Sequence, residues 1–196
     1  MLSYEIYNKF DGLDIQVALR QWVQREFAQG AAYHITLNPH RQMQLSPAMS
    51  KYAGRDAFSA LKHWDAQMNR RLIGKRWSKE GNFPLHSRWI AFLEGSEYTY
   101  HWHLVFTLSE SLGKERVRKA YRKVSSYGRF EPPVVGGKRL DRMSWLAHDC
   151  WKRTVASGTA LAVRIRQADI AAAYCTKEQF NLDRYQHFIM SYQLKN

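Results

Sequence analysis

Two histidines separated by one residue, His101 and His103, interrupt an apolar run, YHWHLVFTL at 100–108. Side chains two apart on a strand leave the same face, so both imidazoles project together and Trp102 points the other way. Paired imidazoles make a platform for a divalent ion. A third ligand should come from a neighbouring strand. RWIAFLEG at 88–95 reads as that strand, and GSEYT between the two suits a hairpin connection. A hairpin centred near Glu97 sets Glu94 opposite His101. Glu94 is therefore the first choice of carboxylate, and Glu97, nearer the turn, the second. Neither Cys150 nor Cys175 lies near this segment, unlike the ligand pattern of a structural zinc site. Two imidazoles and one carboxylate leave coordination positions open for substrate oxygens. The competing reading is a pair of solvated histidines on an exposed strand face.

A second pair lies near the C-terminal end. Tyr174 and Lys177 are three apart in DIAAAYCTKEQ at 169–179, which reads as a helix with Asp169 as N-cap. The small residues Ala171–Ala173 let such a helix approach a sheet closely. A helical tyrosine is ordinarily core or interface. Beside a lysine it has a chemical use, because the ammonium can stabilise a phenolate or pair with a phosphate in the transition state. A phenol, with pKa about 10, is a weak nucleophile at neutral pH, so most of the assistance must go to the phosphate. Imidazoles suit first-row transition ions, whereas Mg²⁺ prefers an all-oxygen shell. Mn²⁺ should therefore bind a His-His-Glu shell more tightly than Mg²⁺.

The elements that must position these groups can be read from periodicity. Residues 14–29 carry Ile15, Leu19, Trp22 and Val23 on one side of a helix. AAYHITLN at 31–38 is a strand ended by Pro39, and 40–54 is a loop. Phe58, Leu61, Trp64, Met68, Leu72 and Ile73 recur at helical spacing from Arg55 to Trp77. After the 88–95 and 100–108 strands comes a basic helix at 113–125, then a breaker-rich loop at 126–140. A short helix at 141–156, a strand at 160–167, the 169–179 helix and a tail from 181, short helix or strand, follow. The order predicts an α+β domain, with an antiparallel sheet of about five strands covered by helices on one face.

The chain has 196 residues, a net charge of +13 and a pI near 9.9. That length and its 45% hydrophobic content fit one globular domain and exclude wholesale disorder. No run is long and apolar enough to span a bilayer, and the first residues lack a secretory pattern, so the expected location is cytoplasmic with reduced cysteines. The charge excess is uneven, +4 over 1–98 and +9 over 99–196. Such a field attracts polyanions, nucleic acid above all; an anionic membrane would favour an unbroken amphipathic helix. Lys114, Arg116, Arg118, Lys119, Arg122 and Lys123 could track a DNA backbone. Tyr127, Phe130 and Trp145 read as core, with base stacking as their alternative. No G-x-x-x-x-G-K-[ST] phosphate loop is present.

Three motifs in order give the sequence a resemblance to HUH endonucleases of the single-tyrosine replication-initiator group. They are His34-Ile35-Thr36-Leu37-Asn38, similar to the family's FTLN-like segment; His101-Trp102-His103; and Tyr174-Cys175-Thr176-Lys177, its Y-x-x-K. The resemblance covers residues 31–180, and Ile170, four before Tyr174, departs from a paired-tyrosine helix. It implies a ferredoxin- or RRM-like sheet domain over 31–196, with 1–30 as a helical extension. It implies nicking and rejoining of single-stranded DNA, often at an origin hairpin, to initiate rolling-circle replication. Tyr174 would form a 5′-phosphotyrosine, Lys177 would assist, and His101, His103 and Glu94 would hold Mg²⁺ or Mn²⁺. Asn38 and the basic helix would contact DNA. A helicase, from the host or co-encoded, would act in trans. No membrane and no small-molecule cofactor is expected. The location becomes the nucleoid of a bacterium or the host nucleus for a eukaryotic virus. A transposase or relaxase is the alternative within the family, and a non-catalytic RRM-like binding module is the alternative outside it.

Overall fold

Strand β3 (Thr99–Thr107) is the middle of a five-stranded antiparallel sheet in the computed structural model. Described are residues 12–27, 32–39, 50–96, 99–125, 134–135, 138–139, 141–156, 158–175 and 188–195. β3 pairs on one side with β2 (Arg88–Ser96) and on the other with β1 (Ala32–Asn38). β6 (Thr159–Arg164) forms the edge beside β1, and β7 (Phe188–Met190) the edge beside β2. Every pairing is antiparallel, so the architecture is α+β with a flanked antiparallel sheet. A separate two-stranded ladder, β4 (Val134–Val135) with β5 (Lys138–Arg139), lies in the segment expected to be loop.

Both faces of the central strands carry apolar residues, and both are covered by helices. On one face Ile35, Leu37, Trp89, Ala91, Trp102, Leu104 and Phe106 meet α2 (Ser50–Leu72), α3 (Lys114–Ser125) and α4 (Arg142–Thr154) in the main core. The indole N–H of Trp102 donates to the Ala57 carbonyl, and that of Trp64 to the Ala147 carbonyl. On the other face Ile90, Phe92 and Val105 pack with Val23 of α1 (Gly12–Phe27) and with Ala172 and Cys175 of α5 (Ala168–Cys175). The expected one-sided helix layer is thus corrected. Near-continuous apolar strands such as β2 and β3 leave two faces to bury, and α1 and α5 bury the second.

Boundaries differ locally for physical reasons. α2 starts at Ser50, inside the expected 40–54 loop: Gly54 is carried within the helix, where one glycine costs only about 1 kcal/mol and does not end it. It stops at Leu72, short of Trp77, where Gly74 takes φ +118, a conformation that glycine adopts without a Cβ penalty. α5 begins at Ala168, so Asp169 lies within the first turn rather than at the cap, still placed to favour the helix dipole. The tail supplies β7 and a 3₁₀ turn, Ser191–Lys195. No helix among the described residues is long and apolar enough to cross a membrane.

Candidate active site

The β2–β3 register pairs Glu94 with His101 and Phe92 with His103. Alternation along β3 turns His101 and His103 to the face covered by α1 and α5, while Trp102 enters the main core. On the same face Glu94 reaches both imidazoles. Its Oε2 lies 2.7 Å from His103 Nε2 and 3.7 Å from His101 Nε2. One ligand atom from each residue falls within 4.8 Å of the others, a grouping able to hold a metal ion. Ligands at about 2.1 Å from an ion stand roughly 3 Å apart at right angles, so these separations need only small adjustment.

The neighbouring strand orients the deeper ligand. Thr36 is the β1 residue paired with His103, and its hydroxyl lies 3.2 Å from His103 Nδ1. His34 Nε2 is 3.1 Å from the same nitrogen, with the two rings stacked at a 5.1 Å centroid separation. A hydrogen on Nδ1, donated to the Thr36 oxygen, leaves the lone pair on Nε2, on the side where Glu94 stands. Two acceptor lone pairs at 2.7 Å repel unless a proton or a cation lies between them. The donor set, two imidazole nitrogens and one carboxylate oxygen, fits a first-row divalent ion.

Tyr174 closes the group from above. Its ring stands edge-on to His34 and to His103, with centroids 5.3 and 5.2 Å away. Ala172, fully buried, and Cys175 seat α5 against the sheet, as the small residues around them allow. Tyr174 itself is 45% exposed and His103 nearly enclosed, so the site is closed at its base and open at the phenol. Ile170, one helical turn earlier, is exposed.

Other expected residues fall elsewhere. Lys177, Glu97, Tyr127 and Phe130 lie outside the described residues. Asn38 ends β1, exposed on the face of His34 and Thr36, and its carbonyl accepts the Trp151 indole N–H. Lys114, Arg116, Arg118, Lys119 and Arg122 are exposed on α3, which packs by Ala120 against the opposite face of the sheet. Lys123 lies on the same helix. Arg118 pairs with Glu115 at 2.8 Å. The basic helix and the His–Glu–Tyr group are therefore separated by the sheet. Trp145 is half-buried on α4.

Spacing alone assigns no role to His34 or Thr36. Their alternation within AYHITLN marks a shared face, but the β1–β3 pairing that brings them to His103 is not local. Burial pushes the Tyr33 and Tyr121 phenols up, and Asp141 adds to both. Burial likewise pushes up the Cys150 thiol. Cys150 and Cys175 are both buried. No family model, no curated protein and no solved structure matches the chain.

Proposed function

We propose that this chain is a single-tyrosine HUH endonuclease, which nicks and rejoins single-stranded DNA and so initiates rolling-circle replication. One observation carries the reading: the Tyr174 ring stands 5.2 Å, edge-on, from the ring of His103, which shares a metal-competent cluster with His101 and Glu94. A phenol, two imidazoles and a carboxylate brought together from a late helix and a middle hairpin are the parts this transesterification needs. The ordered motif triple and the basic charge balance agree with it.

In this mechanism the Tyr174 oxygen attacks the scissile phosphorus. A phosphorus–tyrosyl oxygen bond forms as the phosphorus–O3′ bond breaks. The electron pair leaves with the 3′-oxygen, which ends as a hydroxyl, and the phenol gives up its proton. Bound Mn²⁺ or Mg²⁺ would neutralise developing charge on the nonbridging and leaving oxygens. Glu94, His101 and His103 would hold it, with Thr36 and His34 orienting His103. Lys177 would pair with the phosphate. The covalent link preserves the phosphodiester energy, so a later 3′-hydroxyl can attack the phosphotyrosine and rejoin the strand.

The test is a denaturing gel after incubation with Mn²⁺ and a mixed pool of single-stranded oligonucleotides. The expected result is an SDS-resistant protein–DNA band, absent from Tyr174→Phe. Wild-type protein that binds the pool but forms no such band points to a non-catalytic binding module and overturns the reading. A band that survives in Tyr174→Phe overturns the assignment of the nucleophile.

A further inference from the structure

Along the same sheet face, away from the histidines, the described residues enclose a cavity of about 240 Å³. Its lining includes Trp22 of α1, Ile90 and Val105 of the sheet, Thr107, Arg88 and Tyr192. Val105 and Thr107 follow His103 by two and four residues, about 7 and 14 Å at ~3.4 Å per strand residue. Pockets that enclose a drug-sized molecule run to about 300–1,000 Å³, so this one suits a single planar ring system.

We propose that the cavity seats one nucleobase of the single-stranded DNA, a few nucleotides from the phosphate attacked by Tyr174. This rests on the reading of the neighbouring site as one for single-stranded DNA. The chemistry of the walls matches that occupant. Two aromatic side chains, Trp22 half-buried and Tyr192 60% exposed, offer stacking faces beside an apolar floor of Ile90 and Val105. The exposed Arg88 guanidinium supplies positive charge suited to the attached phosphate, in a chain with net charge +13. Base-on-aromatic stacking beside a cationic groove is the usual means of holding single strands. The floor belongs to β2 and β3, the strands that carry Glu94, His101 and His103. A base held there is therefore referenced to the rigid hairpin that presents the metal-competent cluster.

The experiment compares wild type, Tyr192→Ala and Tyr192→Phe by fluorescence anisotropy, without divalent ion. Two probes are used: a short mixed-sequence single-stranded oligonucleotide and an abasic deoxyribose-phosphate chain of the same length. Tyr192 is largely exposed, so the substitutions leave the fold in place, and thermal melts verify this. Tyr192→Ala should weaken binding of the oligonucleotide by about fivefold to a hundredfold, the range for losing one base stack, and leave the abasic chain unchanged. Tyr192→Phe should bind both as wild type does. Equal affinity of wild type and Tyr192→Ala for the oligonucleotide overturns the base pocket, as does an equal loss on both probes. The covalent-band assay separates the two proposals. A Tyr174-dependent band with no Tyr192 effect sinks the pocket alone. A base-dependent Tyr192 effect with no band keeps the pocket and sinks the nickase. Wild-type protein that binds neither probe sinks both.

Discussion

The hydroxyl of Thr36 offers a direct test of the metal-competent cluster, because it touches a ligand without being one. Thr36 pairs with His103 across β1 and β3, and its Oγ1 stands 3.2 Å from His103 Nδ1. Thr36→Val keeps the side-chain shape and a strand-favouring β-branched residue, so the sheet should persist. What it removes is a partner that can accept a hydrogen from Nδ1 and so leave Nε2 available to an ion. Loss of such a partner costs roughly 10- to 100-fold in metal affinity, or about 1.4–2.7 kcal/mol. His34 Nε2, 3.1 Å from the same nitrogen, can take over part of the role. The expected loss is therefore at the lower end, about tenfold in the Kd for Mn²⁺. Thr36→Ser, which keeps the hydroxyl, should stay within about twofold of wild type, well inside the ~10-fold effect of removing the partner. Isothermal titration with Mn²⁺ reads the affinities, and melts in chelator verify that the metal-free fold is intact. Unchanged binding by Thr36→Val, or an equal loss in Thr36→Ser, would refute the account of how His103 is oriented.

The same arrangement carries three further expectations. Mn²⁺ should bind more tightly than Mg²⁺ in titration calorimetry, and equal affinities would count against an imidazole-rich shell. Alanine at Lys114, Arg116 and Lys119 should lower the salt dependence of binding to hairpin-bearing DNA, by roughly 0.7–0.9 in slope for each phosphate that is no longer neutralised. A short single strand should show no such change, since these residues lie across the sheet from Tyr174; equal changes on both DNAs would contradict that geometry. His148 is held below its ordinary value near 6.5 by burial first and Lys152 second, while its Nδ1 accepts the Ala160 N–H at 3.2 Å. The unfolded chain therefore takes up this proton at higher pH than the folded one, so the contribution is present above about 6.5 and lost as pH falls below it. His148→Asn, with an acceptor near the Nδ1 position, should narrow the gap in Tm between about pH 8 and about pH 5, and an unchanged gap would contradict the account.

What could be read from the residues, and what could not, divides along the range of the contacts. Glu94 opposite His101 follows from a short connection between two strands, where loop length alone sets the register. The alternation that separates His101 and His103 from Trp102 is equally local. The role of Thr36 is not, because it needs β1 to lie beside β3, a pairing of residues 67 apart in sequence. Spacing within AYHITLN shows which residues share a face but not which strand they face. The same limit explains the second helix layer. Val23 looks like one buried residue of an N-terminal helix, and only assembly of the sheet shows that Ile90, Phe92 and Val105 need it. The 113–125 segment is legible as a basic helix, yet its side of the sheet depends on the packing of Ala120 among α2, α4 and the core.

The precision of the candidate site is set by residues that never touch it. Trp102, Leu104 and Phe106 alternate with His101, His103 and Val105 along β3, and all three of the first set are fully buried. A slip of one residue would exchange the sets, putting the three large side chains on the wrong face and the imidazoles in the core. The three large side chains would overpack the nearer cover, at about 1–3 kcal/mol apiece, and the imidazoles would be buried among apolar groups without partners, so a slip forfeits an amount comparable to a whole domain's ~5–15 kcal/mol stability. The Trp102 indole N–H, spent on the Ala57 carbonyl, adds a directional contact that a slipped register lacks. β1 repeats the device, with Ile35 and Leu37 buried between His34, Thr36 and Asn38. The polar groups need no strong mutual attraction to converge; the core on the far side of the sheet places them. Only Tyr174 depends on the near side, through Ala172 and Cys175 beneath α5. That cluster is the smaller of the two, which would suit the proposed nucleophile, since it would have to approach, and later release, a DNA end.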